Sequence, residues 1–239
     1  MSQRISDQTN QDIEAANAHL ETLPAEQIVR WAVERFRPDL AVSSSFGADS
    51  AVMLHLATRV WPGIRVLFVN TGFLFPETLA FKADLERRLD LNVHEFRPRL
   101  SPEDFLTEHG RMFGTHPDAC CAFLKREPFA RAKQGLRAWM TGIRRDQSFT
   151  RRLTPVVAMD ADGRVKICPL VRWTARDIHA YLKQHDLPYH PLREQGFLSI
   201  GCTHCTRAVC PGEDPRAGRW AGLDKTECGL HTYDKGSGI

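Results

Sequence analysis

Asp39-Leu-Ala-Val-Ser-Ser-Ser-Phe-Gly-Ala-Asp-Ser50 is the stretch of this 239-residue chain that decides its fold. The apolar residues after Asp39 predict a short buried strand, and the serines and Gly47 that come next predict a loop. Apolar residues then recur at helical spacing from Ser50 to Val60. Because strand, loop and helix in this order open a βαβ unit, the segment predicts an α/β protein.

The same alternation continues on both sides of this segment. Two helices are predicted within residues 12–36, divided at Pro24, and a hairpin is predicted around Asp162-Gly163. The other predicted strands span 64–69, 92–96 and 138–143, and the other helices span 76–89, 101–108, 122–133 and 174–184. This order predicts a doubly wound, mostly parallel sheet, which binds ligands outside the carboxyl ends of its strands. We therefore expect the site to be built from the loops at 43–50, 70–72 and 142–152.

The composition is ordinary for a globular protein, with 42% hydrophobic and 26% charged residues. A net charge of +3 is too small to indicate a nucleic-acid partner, although the arginine clusters suit a small anion. Residues 1–10 are polar, and no apolar run approaches the length of a membrane span. We expect a cytoplasmic protein without a nucleic-acid or membrane partner, and the oligomeric state is left open between a monomer and a homo-oligomer.

In a reducing compartment cysteines serve as metal ligands, catalytic thiols or buried small side chains more often than as disulfides. Four of the seven cysteines form two pairs, Cys120-Cys121 and Cys202-Thr203-His204-Cys205. Adjacent ligands diverge in direction, so four thiolates in this layout favour an iron–sulfur cluster over a single tetrahedral zinc ion. Of the others, Cys168 is expected to be a buried packing residue and Cys210 an idle loop thiol.

Cys228 differs from these because it lies in a polar, glycine-containing segment near the C-terminus. It is either a surface thiol without a role or a nucleophile. A nucleophilic thiol would need cationic neighbours, for which Arg216, Arg219 and His231 are the nearest candidates in the sequence.

The loop from Ser43 to Ser50 places backbone N–H groups and hydroxyls at the positive end of a helix, where a phosphate can bind; an ordinary serine-rich helix cap is the alternative. The loop resembles the phosphate-binding loop of the adenine nucleotide alpha-hydrolase superfamily, which implies a Rossmann-like fold. ATP-cleaving members typically carry Ser-Gly-Gly-x-Asp-Ser, often with a lysine before the aspartate. This chain has Ala48 there, which argues against ATP cleavage.

Five further segments resemble the signatures of the assimilatory adenylyl-sulfate reductases and the related 3′-phosphoadenylyl-sulfate reductases. They are Phe-Val-Asn-Thr-Gly-Phe-Leu-Phe-Pro-Glu-Thr-Leu (68–79), Cys-Cys-x-x-x-Lys-x-x-Pro (120–128), Gly-x-Arg-Arg-Asp-Gln-Ser (142–148), Gly-Cys-x-x-Cys-Thr-Arg (201–207) and Lys-Thr-Glu-Cys-Gly-Leu-His (225–231). One departure is Asn70, where many relatives carry aspartate, so a carboxylate role at that position does not transfer.

The resemblance implies that Cys228 attacks the sulfur of adenylyl sulfate, releases AMP and holds a thiosulfonate that thioredoxin reduces to sulfite. It implies that a [4Fe-4S] cluster is held by Cys120, Cys121, Cys202 and Cys205. Lys125 would lie beside both the cluster and the substrate. The residues that the resemblance places near the nucleotide are Ser43, Ser44, Ser45, Gly47, Asp49, Ser50, Thr71, Gly72 and Gly142, and those near the phosphosulfate are Arg144, Arg151, Arg216, Arg219 and His231.

The two cysteine pairs also bear on the substrate, because relatives that prefer the 3′-phosphorylated nucleotide generally lack both. We therefore expect adenylyl sulfate, with three alternatives: a 3′-phosphoadenylyl-sulfate reductase, a zinc-bearing ATP pyrophosphatase or thiolation enzyme, and a cluster-bearing regulator without turnover. The expected organisation is an N-terminal helical segment (1–38), a nucleotide-binding α/β domain with the first cysteine pair (39–200), and a mobile C-terminal segment with the second pair and the catalytic cysteine (201–239).

Overall fold

The computed structural model describes residues 12–231, so the outer ends of the predicted N-terminal segment and C-terminal tail, residues 1–11 and 232–239, lie outside the described residues. One six-stranded sheet has the order β3-β2-β1-β4-β6-β5. Its strands are β1 (Leu40–Ser43), β2 (Arg65–Val69), β3 (Asn92–Phe96), β4 (Ala138–Thr141), β5 (Val157–Met159) and β6 (Val165–Ile167). All neighbours are parallel except β5 and β6, which form the antiparallel hairpin expected around Gly163. The predicted α/β fold is confirmed.

Nine helices surround the sheet within the described part of the chain: α1 (residues 12–20), α2 (Ala25–Phe36), α3 (Ser50–Val60), α4 (Pro76–Leu89), α5 (Pro102–His109), α6 (Met112–Thr115), α7 (Pro117–Cys121), α8 (Glu127–Ala132) and α9 (Ala175–Gln184). Local chemistry sets several of their starts. The Ser101 hydroxyl accepts the Asp104 N–H at the start of α5, and Thr174 forms a capping box with Asp177 at the start of α9. None of the helices within residues 12–231 is both long and apolar enough to cross a membrane.

Alternate residues of the central strands enter two cores on opposite faces of the sheet. Leu40 and Val42 of β1 pack into the larger core, with the buried sides of α2, α3, α4 and α9. Ala41 and Trp139 point to the other face, where Phe129 of α8 covers them. Helices therefore lie on both faces, which explains why the first three residues of β1 and of β4 are all apolar and do not alternate with polar residues.

The helix predicted at 122–133 is only partly correct. The chain is already helical from Pro117, and a π-helical turn at Ala122–Arg126 interrupts the helix before α8. The Glu127 N–H bonds to the Ala122 carbonyl, five residues back, and Pro128 has no N–H with which to restore the regular pattern. The first cysteine pair consequently ends a helix, α7, rather than beginning one. The short helix α6 was not predicted.

The topology brings the loops that follow β1, β2 and β4 to one edge of the sheet. Strand β1 lies between β2 and β4 and is parallel to both, and the chain builds outward on the β2 side before crossing to the β4 side. This is the switch point of a doubly wound sheet, where a crevice opens beyond the carboxyl ends of the strands.

Candidate active site

A cavity of about 320 Å³ lies at the switch point. Cys228 lines it, and so does every residue that the sequence placed near the nucleotide or the phosphosulfate except Gly72. These residues are Ser43, Ser44, Ser45, Gly47, Asp49, Ser50, Thr71, Lys125, Gly142, Arg144, Arg151, Arg216, Arg219 and His231. Gly72 has φ +78° and faces Pro102, so it shapes the turn after β2 without lining the cavity. The binding roles of all these residues stay predictions.

Two hydrogen bonds fix the conformation of the serine loop. Ser43 Oγ donates to the Met140 carbonyl at 3.2 Å, and Ser44 Oγ accepts the Phe46 N–H at 3.1 Å. Phe46, at φ +48°, turns its ring into the core against Phe68, with 5.2 Å between ring centroids. The loop therefore reverses direction at Phe46, and Gly47 and Ser50 face the cavity beside the N-terminus of α3.

Arg144 is buried and already engaged by two carboxylates. Its Nη1 lies 2.5 Å from Asp49 Oδ2, and its Nε lies 2.9 Å from Asp146 Oδ1. Burial opposes the charged guanidinium, but these carboxylates raise the pKa of Arg144 overall. Arg193 reaches the same Asp49 at 3.3 Å and also lines the cavity. Sequence reasoning missed Arg193 because it lies after Pro191 in a stretch without periodicity.

Arg151 and Arg216 converge on one carboxylate from the C-terminal segment, Glu227. Arg151 donates from Nε at 2.7 Å and from Nη2 at 2.8 Å, and Arg216 donates from Nη2 at 3.1 Å. The Thr150 hydroxyl adds a bond at 3.2 Å. Burial alone would raise the pKa of Glu227, but the hydrogen bond and charge of Arg151, with the charge of Arg216, lower it.

The segment that carries Cys228 is seated against the cavity. Lys225 forms an ion pair with Asp118 of α7, and the His231 ring stacks on Trp139 of β4 at 6.1 Å. His231 Nδ1 is buried with no hydrogen-bond partner among the described residues. Burial, and then the charges of Lys166 and the two arginines that bind Glu227, lower the pKa of His231, so its ring is neutral. Cys228 itself is half-buried.

The four paired cysteines meet in a second, much smaller cavity of about 10 Å³. Cys120, Cys121, Cys202 and Cys205 are all buried and line it together with Phe113, Pro117, Leu124 and His204. Lys125 and Trp220 line both cavities, so they form the wall between the cysteines and the larger cavity. Cys228 packs on the same cluster of residues as Cys121, Cys202 and Cys205.

The electrostatics of these sulfurs suit a bound cation. Burial, together with the charges of Cys121 and Cys205, raises the pKa of Cys120 to about 12, and burial also raises that of Cys121. The side-chain interaction between Cys202 and Cys205 raises the pKa of Cys202 and lowers that of Cys205. All four sulfurs can ionise together only when a cation lies among them. Soft sulfur donors in an apolar pocket suit iron or zinc, so the residues fit a metal group.

His204 is a candidate ligand that sequence reasoning did not single out. The ligand atoms of Cys202, His204 and Cys205 all lie within 4.8 Å of one another, so the three residues could hold a metal ion. The His204 ring stacks on Phe113 with 4.1 Å between centroids. Its position between Cys202 and Cys205 was the feature of the sequence that could have indicated a metal ligand. The sequence alone does not distinguish a ligand histidine from a packing histidine, because that depends on the fold.

Asn70 has its own partner in this structure. Its Nδ2 donates to Glu95 at 3.0 Å, and its Oδ1 accepts the Gly72 N–H at 3.0 Å. An aspartate here would face the Glu95 carboxylate, so asparagine fits this neighbour better. Asn70 fixes the turn after β2 and does not line the cavity.

A family model described as the phosphoadenosine phosphosulfate reductase domain matches residues 39–208. Adenosine 5′-phosphosulfate reductase of Streptomyces coelicolor is 43% identical over 231 residues, which cover 96% of this chain and 97% of that protein. Phosphoadenosine 5′-phosphosulfate reductase of Xylella fastidiosa is 48% identical over 225 residues, which cover 92% of this chain and 94% of that protein.

Solved structures agree with the fold. The phosphoadenylyl-sulfate reductase of Candida auris, described as a phosphate complex, has a TM-score of 0.73 at 29% identity, covering 82% of this chain and 96% of that one. The FMN adenylyltransferase of Candida glabrata has a TM-score of 0.56 at 18% identity, covering 80% of this chain and 63% of that one. The second likeness extends to the fold alone.

Proposed function

Because the chain belongs to the phosphoadenosine phosphosulfate reductase domain family, we propose that it reduces adenylyl sulfate to sulfite and AMP. Family membership makes it an oxidoreductase of sulfate reduction that acts on a sulfated nucleotide with an external reductant. One observation carries the finer proposal. Cys228 lines the same cavity as the serine loop and the arginines, and it packs beside the paired cysteines.

In the first step the Cys228 thiolate attacks the sulfur of the phosphosulfate. The new S–S bond forms as the bond between sulfur and the bridging oxygen breaks, and AMP leaves with that oxygen. Cys228 is left as an S-sulfonate. Arg219 and Lys125, which line the cavity, are placed to offset the charge that develops on the departing phosphate.

In the second step a dithiol reductant, which we propose to be thioredoxin, attacks the Cys228 sulfur. Sulfite leaves with the electron pair of the S–S bond, and a mixed disulfide forms. The second thiol of the reductant then releases Cys228, so the dithiol is oxidised to a disulfide and two electrons have passed to the sulfur. The half-buried position of Cys228 means that its segment must move outward for this step.

We further propose that Cys120, Cys121, Cys202 and Cys205 hold a [4Fe-4S] cluster. When bound, the cluster supplies a charged metal centre on the far side of the wall formed by Lys125 and Trp220. Burial acts against the Lys125 ammonium, but the negative charge available at Cys202, Cys228 and Cys205 raises the pKa of Lys125 overall. Lys125 therefore stays protonated between the cysteines and the cavity.

The 3′-phosphorylated nucleotide is a second candidate substrate, because relatives with similar sequence identity to this chain are named for each of the two nucleotides. We favour adenylyl sulfate because this chain has both cysteine pairs. Turnover of the two nucleotides at matched concentrations tests the choice, and a higher kcat/KM for the 3′-phosphorylated nucleotide would reverse it.

The nucleophile is tested by trapping a radiolabelled sulfonate from adenylyl [³⁵S]sulfate on anaerobically purified protein, with the reductant left out. Cys228→Ser is expected to abolish the label and to keep the visible absorbance of the cluster. Cys210→Ser is the matched control, because Cys210 is exposed and does not line the cavity, and it should label normally. A label that persists in Cys228→Ser, or a colourless and iron-free wild-type protein, would contradict the proposal.

A further inference from the structure

The carboxylate of Glu227 binds Arg151 and Arg216, two of the arginines that the sequence resemblance places near the phosphosulfate. Within residues 12–231, the cavity is lined by six lysine and arginine side chains: Lys125, Arg144, Arg151, Arg193, Arg216 and Arg219. Arg144 and Arg193 are balanced by the lining carboxylates Asp49 and Asp146. Arg151 and Arg216 are instead balanced by Glu227, which reaches them from the C-terminal segment.

Every guanidinium nitrogen of Arg151 already donates a hydrogen bond. Nε and Nη2 donate to Glu227, and Nη1 donates to Gln147 at 2.5 Å. Arg216 donates to Ser199 from Nη1 at 3.3 Å, and from Nη2 to Glu227 and to the Thr226 carbonyl. Among these acceptors only Glu227 carries a charge. An incoming dianion therefore competes with Glu227 more than with any other partner of the two arginines.

Glu227 precedes Cys228 directly, so its contacts constrain where the thiol lies. The Glu227 side chain is 26% exposed, while those of Arg151 and Arg216 are 11% and 12% exposed. An ion pair in this setting is only weakly screened by solvent, and two arginines share it. The neighbouring Thr226 carbonyl is bound by the same Arg216, at 2.7 Å. At Thr226 and Glu227 the segment is therefore held by the two arginines, between the contacts of Lys225 with Asp118 and of His231 with Trp139.

We propose that Glu227 is a positioning residue that holds Arg151 and Arg216 while the anion site is empty and is displaced from them by the anionic group of the substrate. Displacement releases the segment that carries Cys228 from its docked position, so the thiol gains freedom to reach the sulfur and later to meet the reductant. The inference rests on the proposed function only for the identity of the anion.

The first test uses wild-type holoenzyme and inorganic sulfate as the probe. Iodoacetamide alkylation of Cys228 is followed by peptide mass spectrometry, with the exposed Cys210 as the internal reference. Sulfate is expected to accelerate alkylation of Cys228 relative to chloride at equal ionic strength, without changing the rate at Cys210. A rate at Cys228 that sulfate leaves unchanged or lowers would overturn the proposal, and this arm requires neither a variant nor turnover.

The second test uses Glu227→Gln, which keeps the shape of the side chain and removes its charge. Alkylation of Cys228 should rise about tenfold without sulfate and lose its response to sulfate, because the two arginines lose their anionic partner and keep only hydrogen bonds to a neutral amide. The matched control is Glu213→Gln. Glu213 pairs with Arg207 at 2.9 Å in the same C-terminal segment, but neither residue lines the cavity, so Cys228 should react at the wild-type rate. Equal rates in both variants would contradict the proposal.

The third test separates displacement from a merely structural role. Removing a competing carboxylate should strengthen the binding of AMP to Glu227→Gln by a fewfold, measured by titration calorimetry, whereas a purely structural carboxylate would leave AMP binding unchanged or weaker. Unchanged or weaker binding would overturn the inference. A protein that responds to sulfate as expected but does not reduce adenylyl sulfate refutes the proposed function alone, and a reductase without the sulfate response refutes this inference alone.

Discussion

His190 is a single buried side chain that fixes one wall of the cavity. Its Nδ1 accepts the Leu192 N–H at 3.2 Å, so the ring proton lies on Nε2, which donates to the Thr78 hydroxyl at 3.0 Å. Burial lowers the pKa of His190 to about 4. The neutral ring thereby ties helix α4 to the loop that brings Arg193 and Ile200 to the cavity.

This histidine predicts a loss of stability in acid. Its pKa falls from 6.5 to about 4 on folding, so below pH 6.5 the unfolded chain binds a proton that the folded chain excludes. Stability should be fully present above that pH and fall as the pH drops toward 4, with about 2 kcal/mol lost between pH 7.5 and pH 5. Urea unfolding of wild type and of His190→Gln at pH 7.5 and pH 5 measures this loss of unfolding free energy. The amide side chain of the variant cannot gain the proton, so equal losses in both proteins would contradict the assignment.

The C-terminal segment shows how an element without regular secondary structure is held in place. Residues 201–231 contain one 3₁₀ turn, Thr203–Cys205, and isolated bridges join Leu74 to Cys202 and Thr206 to Arg219. Close approaches occur at two glycines: a Cβ at Gly218 would collide with the Arg207 carbonyl, and one at Gly201 with the Arg219 guanidinium. These contacts place Arg219 over Trp220, with 4.4 Å between Cζ and the ring centroid.

Alanine at the two glycines should therefore have different effects. Gly218→Ala meets backbone that cannot move without breaking the bridge, and we expect it to cost about 2 kcal/mol of unfolding free energy. Gly201→Ala meets the end of a flexible side chain, so it should cost below about 1 kcal/mol but displace Arg219 and weaken AMP binding. Chemical denaturation and calorimetry measure the two quantities. The reverse order of stabilities would show that the C-terminal segment is held differently.

At the scale of the molecule, the two cavities are built from distant parts of the chain. Helix α7 and the π-helical turn supply Cys120, Cys121 and Lys125, while the C-terminal segment supplies Cys202, Cys205 and Trp220. A metal group held by both cysteine pairs would cross-link them and stabilise the folded chain in proportion to its affinity. The wall between the cavities would then depend on the metal as well as on packing.

Removal of the metal should therefore loosen both sides of this wall. When iron is chelated under reducing conditions, backbone amides in residues 117–126 and 201–220 are expected to exchange hydrogen faster, while those of β1 and β2 in the sheet centre stay protected. Hydrogen exchange with mass spectrometry resolves these segments. If chelation left the exchange rates of residues 117–126 and 201–220 unchanged, the cysteines would not join the two parts of the chain through a metal.

The sequence could predict the features of this structure that depend on patterns within short segments. Helices α3 and α4 have the predicted ends, and Cys168 is fully buried as expected. The partner of each charged residue could not be predicted. Asp49 meets Arg144 and Arg193, and Glu227 meets Arg151, only after the sheet is assembled. The π-helical turn was missed because apolar spacing does not distinguish it from an α-helix.

The shared wall also has an evolutionary consequence. A lineage that lost the cysteine pairs would lose more than a metal, because Lys125 and Trp220 would keep their place beside the nucleotide cavity only if other side chains filled the space that the four sulfurs occupy. Loss of the pairs would therefore require compensating substitutions in α7 and the Cys202–Cys205 turn, and these would have to arise together. Descendants without the cysteines should carry larger apolar residues at those positions.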